Sequence, residues 1–166
     1  QQYQALVKIM RDELGAVDPK VATEGMLRAF RQHAPDLAAD VTACRFMKLV
    51  HVGCEHGTVA GSAALFLVQL QAAETLDECP TWLPGDIDCW AEHLHKAQEL
   101  HEAASSAAKC QKTVLITNGQ QVRLDRIDWA SLVRHPNDRT TCVATMEFVG
   151  CSLQIIWQRA VTECSE

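Results

Sequence analysis

The chain has 166 residues, of which 48% are hydrophobic and 22% are charged, a composition typical of a single folded domain rather than a disordered chain. The 15 basic and 21 acidic residues give a net charge of −6, and without a basic block we expect no nucleic-acid partner. The longest uncharged stretch, residues 57–73, is shorter than the ~20 apolar residues of a membrane-spanning helix, so we expect no membrane span.

The cysteine content leaves the cellular compartment open. Eight cysteines are an even number, which is common in secreted proteins held together by disulfides. The chain nevertheless has enough apolar residues to fold without disulfides, and it has no Asn-x-Ser/Thr glycosylation site. We therefore favour a reducing intracellular compartment slightly, and a disulfide-stapled secreted effector is the alternative.

The first half of the chain predicts helices. Apolar residues recur at a helical period over 3–14, and Asp18 followed by Pro19 is a typical helix start. A further helix is expected after the segment 33–40. Residues 58–76 are apolar nearly all round, which predicts a buried central helix.

A loop and one long helix are predicted next. Residues 77–87 contain two prolines and a glycine and predict a loop. Residues 88–109 are rich in alanine and glutamate and predict a helix with Cys89 in its first turn. The apolar stripe expected on this helix is Trp90, Leu94, Ala97, Ala104 and Ala108. The four tryptophans are expected to pack mainly in the core.

The pattern changes to strands after Cys110. Residues 113–124 form two β-type runs joined by Asn118-Gly119, a strong hairpin signal, and residues 140–161 predict two more strands broken near Gly150. We therefore predict an α+β fold in a single domain 1–166. An N-terminal helical lobe, residues 1–110, would be followed by a small antiparallel β-sheet lobe, residues 111–166.

One candidate for catalysis is Cys89. A helix N-terminus stabilises a thiolate through its unpaired N–H groups and its dipole, and a base would come from elsewhere in the fold. His135 comes just before the predicted strand 140–148 and would supply that base from the sheet edge. The alternative is that Cys89 is a buried thiol or forms a disulfide with Cys79.

With Asp88–Trp90, "DCW", and the later His135, the chain resembles the papain-like cysteine peptidases. The resemblance implies an α lobe with Cys89 as the nucleophile at a helix start, and a β lobe with His135 as the general base. It further implies an oxyanion hole formed by backbone N–H near Cys89, and a protein or peptide substrate. Small domains of this type occur in viral polyproteins. The competing hypothesis is a non-catalytic protein-interaction domain with a protein or peptide partner.

No cofactor or metal is predicted, with one weak alternative. Cys44, His51, Cys54 and His56 carry the side chains that zinc prefers, but their spacing matches no common zinc motif. We read them as residues of a helix that ends at Gly53 or Gly57. The glycines of the segment 56–61, "HGTVAG", lack the Lys-Ser/Thr of a phosphate-binding P-loop. The oligomeric state is left open.

Overall fold

The structure is a computed structural model that describes residues 1–117, 120–124 and 141–158. Over these residues the predicted α+β class is confirmed, with five α-helices and a six-stranded mixed sheet. Within the described part of the chain, none of the helices is both long enough and apolar enough to cross a membrane.

Three helices open the chain. They are α1 (Gln2–Asp12), α2 (Pro19–His33) and α3 (Ala39–His56). The predicted start of α2 is confirmed, because the Asp18 carboxylate accepts hydrogen bonds from the backbone N–H groups of Lys20 at 3.2 Å and Val21 at 3.3 Å. Helix α3 continues through Gly53 and ends at Gly57, its C-cap.

The predicted central helix is shorter and more exposed than expected. Residues Thr58–Ala60 form a strand, β1, and helix α4 spans Gly61–Ala72. The change from strand to helix takes place at Gly61, whose φ of +69° is readily adopted only by glycine. The prediction that this helix is buried all round was wrong, because Leu65 is 53% exposed and Val68 is 57% exposed.

The second correction concerns the segment that follows the proline-rich loop. Residues Ile87–Trp90 form a strand, β2, and the next helix, α5, spans Leu94–Ala107. β2 is extended because it is paired on both sides, antiparallel to β1 and parallel to the last strand of the chain. Helix α5 begins only after His93, whose Nδ1 atom accepts a hydrogen bond from the N–H of Lys96 at 3.3 Å. Cys89 therefore lies in a strand and not in the first turn of a helix.

The C-terminal strands match the prediction closely. They are β3 (Lys112–Thr117), β4 (Gln120–Leu124), β5 (Thr141–Phe148) and β6 (Cys151–Gln158). β3 and β4 pair antiparallel with Thr117 opposite Gln120, as the hairpin prediction requires, although Asn118 and Gly119 lie outside the described residues. The turn between β5 and β6 contains Gly150 with a φ of +88°.

The sheet has the order β1-β2-β6-β5-β3-β4. Two of its strands, β1 and β2, therefore come from the part of the chain that was predicted to be a helical lobe. β6 returns to the centre of the sheet and pairs with β2 in parallel, with Asp88 opposite Gln154. The two halves of the sequence consequently share one sheet.

One face of the sheet, which we call the inner face, packs on the helices. Side chains alternate between the two faces of a strand, and on β2 the alternate residues Ile87 and Cys89 are fully buried while Trp90 is 50% exposed. The inner face continues on β5 and β6 with buried residues, which are Cys142, Ala144, Met146, Leu153, Ile155 and Trp157. The opposite face, the outer face, carries Asp88 and Trp90.

Candidate functional site

Cys89 is buried between β2 and α3. Its side chain has 0% exposure, and its Sγ atom donates a hydrogen bond to the carbonyl of Gly53 at 3.3 Å. Burial, with a smaller contribution from nearby Cys54, raises the pKa of the Cys89 thiol to about 12. A cysteine nucleophile must reach its substrate as a thiolate, and both the burial and the pKa of Cys89 oppose this.

The partner residues expected for Cys89 are only partly described. His135 lies outside the described residues, so the predicted Cys89–His135 pair stays a hypothesis. The alternative disulfide with Cys79 is not formed, because both sulfurs are free and Cys79 Sγ donates instead to the carbonyl of Val21 at 3.7 Å. All seven cysteines within the described ranges are free thiols.

The four candidate zinc ligands all lie on α3, but they face different surroundings. His51 pairs with Glu13 at 3.2 Å and with Glu55 at 3.5 Å, whereas Cys44 is buried and Cys54 is exposed. Among the residues that the structure describes, no group of three or more His, Cys, Asp or Glu side chains is placed to hold a metal ion.

A different group of residues is brought together where β1, β2 and α4 meet. Asp88 lies opposite Ala60 in the β1–β2 pairing, and Ala60 directly precedes α4. A Cβ atom on Gly61 would lie 2.7 Å from Asp88 Oδ2, so the absence of a side chain at Gly61 allows the carboxylate to sit against the first residue of the helix. Asp86 directly precedes β2, and its charge acts on Asp88. We use the name acidic pocket for the group formed by Asp86, Asp88 and the first turn of α4.

Asp88 is held in an unusual electrostatic environment. Its Oδ1 atom is buried and has no hydrogen-bond partner, although buried polar atoms in proteins are almost always paired. Burial and, to a smaller extent, the charge of Asp86 raise the pKa of the Asp88 carboxyl group. A cation placed between the two carboxylates would give Asp88 Oδ1 a partner and would favour the charged form of the Asp88 carboxyl group.

The first turn of α4 adds an accessible set of donors to the acidic pocket. The first N–H groups of a helix have no intrahelical partners, and the N-cap residue Ala60 has no side chain that could accept from them. Gly61 and Ser62 are both exposed. Backbone N–H groups in this position, together with the helix dipole, favour the binding of an anion such as a phosphate group.

Two rows of side chains run across the outer face beside the acidic pocket. The strand register places Asp88, Gln154 and Thr145 in one polar row. The next row is apolar, and it consists of Trp90, Ile156, Val143 and Ile116 on four neighbouring strands. The outer face therefore offers polar and apolar surface side by side.

The loop that delivers Asp86 and Asp88 is attached to helix α2. Arg28 Nη2 donates hydrogen bonds to the carbonyls of Leu76 at 3.1 Å and Cys79 at 3.2 Å. His33 Nε2 lies 2.6 Å from the carbonyl oxygen of Thr81. The Cys79 side chain packs so closely on Gly25 that a Cβ atom at that position would collide with it. These contacts hold the connection between α4 and β2 on the helical side.

No sequence pattern singled out Asp86, Asp88 and Gly61 as a site. Gly61 was weighed only against the P-loop pattern, which the segment 56–61 does not match. The available signal was a pair of aspartates two residues apart, Asp86 just before β2 and Asp88 within it, together with a Gly-Ser pair at the start of an apolar helix. Comparison with protein-family models, with curated proteins and with solved structures yields no match.

Proposed function

We propose that this protein binds a phosphate-bearing ligand of the nucleoside triphosphate class, together with a divalent cation, in the acidic pocket. The observation that carries this proposal is the buried, unpartnered Oδ1 atom of Asp88 beside the uncapped N-terminus of α4. A buried carboxylate oxygen without a partner is costly, and a bound cation would supply the missing interaction for Oδ1 of the partly buried Asp88.

The composition of the acidic pocket favours magnesium or manganese. Mg²⁺ is usually held by one or two carboxylates, with substrate phosphates and water completing its octahedral coordination. Asp86 and Asp88 would supply the two carboxylates, because Asp86 directly precedes β2 and Asp88 is its second residue, a separation of about 6–7 Å in extended backbone. The first turn of α4 would bind the phosphate that bridges to the cation.

The same components are used in phosphoryl transfer. A cation between carboxylates and a phosphate stabilises charge on the phosphate oxygens. The function that we propose is the binding of a phosphate-bearing ligand and a divalent cation. Phosphoryl transfer would be an additional activity at the same pocket.

A thermal-shift titration tests the proposal. The protein is heated with MgCl₂ alone, with ATP alone and with both, and a ligand at 100 times its Kd stabilises the folded state by about 2.7 kcal/mol. We expect the melting temperature of the wild-type protein to rise most when both are present. Asp86→Asn and Asp88→Asn should abolish this rise.

Asp77→Asn is the matched control, because Asp77 is an exposed aspartate of the preceding loop and its substitution removes the same charge. It should leave the Mg²⁺–ATP shift intact. If the wild-type protein shows no shift at millimolar Mg²⁺–ATP, or if Asp88→Asn responds like the wild type, the proposal is wrong.

The two hypotheses from the sequence make different predictions. A papain-like peptidase would need Cys89 and His135, and its activity would be independent of Asp86. A non-catalytic protein-interaction domain would use exposed apolar side chains such as Leu65 and Val68 on α4, and its partner binding would not require a divalent cation.

A further inference from the structure

Trp90 is the most exposed aromatic residue near the acidic pocket. Its side chain is 50% exposed, although large aromatic side chains are usually mostly buried. It lies on β2 two residues after Asp88, so the two side chains point from the same face of the sheet. The surface beside the two carboxylates therefore includes a flat aromatic group.

The neighbours of Trp90 extend this apolar surface. In the strand register Trp90 lies opposite Ile156, Ile156 opposite Val143, and Val143 opposite Ile116. Ile156 is 9% exposed, and Val143 and Ile116 are partly buried, so Trp90 is the member of the row that is most available to a ligand. The adjacent row begins with Asp88 and is polar.

This division of the outer face matches a ligand with two chemically different ends. Ligand sites combine an apolar or aromatic surface with a few polar groups that fix orientation. A phosphate end would lie at the acidic pocket and a planar end on Trp90. Aromatic side chains stack on nucleobases of any sequence, because every base has a π-face.

We propose that Trp90 is a stacking platform for the base of a nucleotide whose phosphates occupy the acidic pocket. This inference rests on the proposed function and adds the residue that distinguishes a nucleotide from a simple polyphosphate. Trp90 acts on affinity and specificity, and it takes no part in holding the cation.

The test compares two probes, Mg²⁺–ATP and Mg²⁺–inorganic triphosphate, by isothermal titration calorimetry. Trp90→Ala should weaken the binding of Mg²⁺–ATP about tenfold, within the range of base–aromatic stacking, and should leave the binding of Mg²⁺–triphosphate unchanged. Trp90→Phe should retain most of the affinity for Mg²⁺–ATP, because it keeps a planar ring.

The outcomes separate this inference from the function on which it rests. If Trp90→Ala leaves both affinities unchanged, or lowers both by the same factor, the stacking platform is wrong while binding at the acidic pocket stands. If the wild-type protein binds neither probe, both the proposed function and the stacking role of Trp90 are wrong.

Discussion

Replacing Gly61 by alanine is the sharpest test of how the acidic pocket is built. Gly61 has a φ of +69°, and its Cβ position lies 2.7 Å from Asp88 Oδ2. A left-handed conformation costs a non-glycine residue about 1–2 kcal/mol. The added methyl group would also push the Asp88 carboxylate away from the start of α4, because the carboxylate end of the side chain moves more easily than the backbone.

We expect Gly61→Ala to lower the free energy of unfolding by about 1–2 kcal/mol and to weaken the Mg²⁺–ATP response. Urea denaturation followed by circular dichroism measures the first effect, and the thermal-shift titration measures the second. The two readouts separate the backbone strain from the displacement of Asp88.

Two other glycines provide matched controls. Gly85→Ala meets no atom within 4 Å, and we expect a change in stability below about 0.5 kcal/mol. Gly150→Ala combines a φ of +88° with a collision against Thr42. It should therefore destabilise the fold without affecting Mg²⁺–ATP binding.

If Gly61→Ala were as stable as Gly85→Ala, the backbone strain expected at Gly61 would be refuted. The assignment of the pocket would be refuted if Gly61→Ala lost stability but bound Mg²⁺–ATP as tightly as Gly150→Ala. That second result would mean that the position of the Asp88 carboxylate does not matter for the ligand.

Three further predictions concern individual side chains. Iodoacetamide should modify exposed Cys54 faster than Cys89 in the folded protein at neutral pH, because Cys89 is buried and its pKa is raised to about 12. The modified sites are mapped by mass spectrometry. Selective modification of Cys89 would restore the peptidase hypothesis. Because burial and Asp86 raise the pKa of Asp88 in the folded state, the stability that its protonation contributes is present at low pH and is lost as the pH rises through that raised value. Asp88→Asn should therefore increase the melting temperature of the cation-free protein at pH 7 more than at pH 4, and an equal effect at both pH values would contradict the burial of the charge. Arg28→Met removes two hydrogen bonds to loop carbonyls and should lower the free energy of unfolding by about 1–2 kcal/mol. Arg31→Met, on the exposed side of the same helix, should leave the free energy of unfolding unchanged. Equal urea midpoints for the two variants would show that the loop is held by other contacts.

Local patterns in the sequence were sufficient for the elements whose determinants are close together along the chain. Asp18 caps α2 through its own neighbours, and the turn residues around Gly150 join two strands that follow each other directly. The α+β class could also be predicted, because helical periodicity dominates the first half of the sequence and strand patterns dominate the last third.

The strand β2 could not be predicted in this way. Residues 87–90 carry no strong local preference that separates them from the helix-forming residues after them. They become a strand because β1 and β6, which are distant in the sequence, pair with them on both sides. This long-range pairing buries Cys89 and exposes Trp90, the reverse of what a helix start would give.

The sequence by itself therefore determined the fold class, the cap of α2 and the antiparallel pairing of consecutive C-terminal strands, since the cap and the pairings depend on contacts between residues near each other in the chain. Only the tertiary structure decided the surroundings of the segment 86–90, because these depend on where β1, α4 and β6 meet. Cys89 is placed in the core, while Asp88 is placed against Gly61. The same five residues thus change from a predicted nucleophile site to an acidic pocket beside an exposed tryptophan.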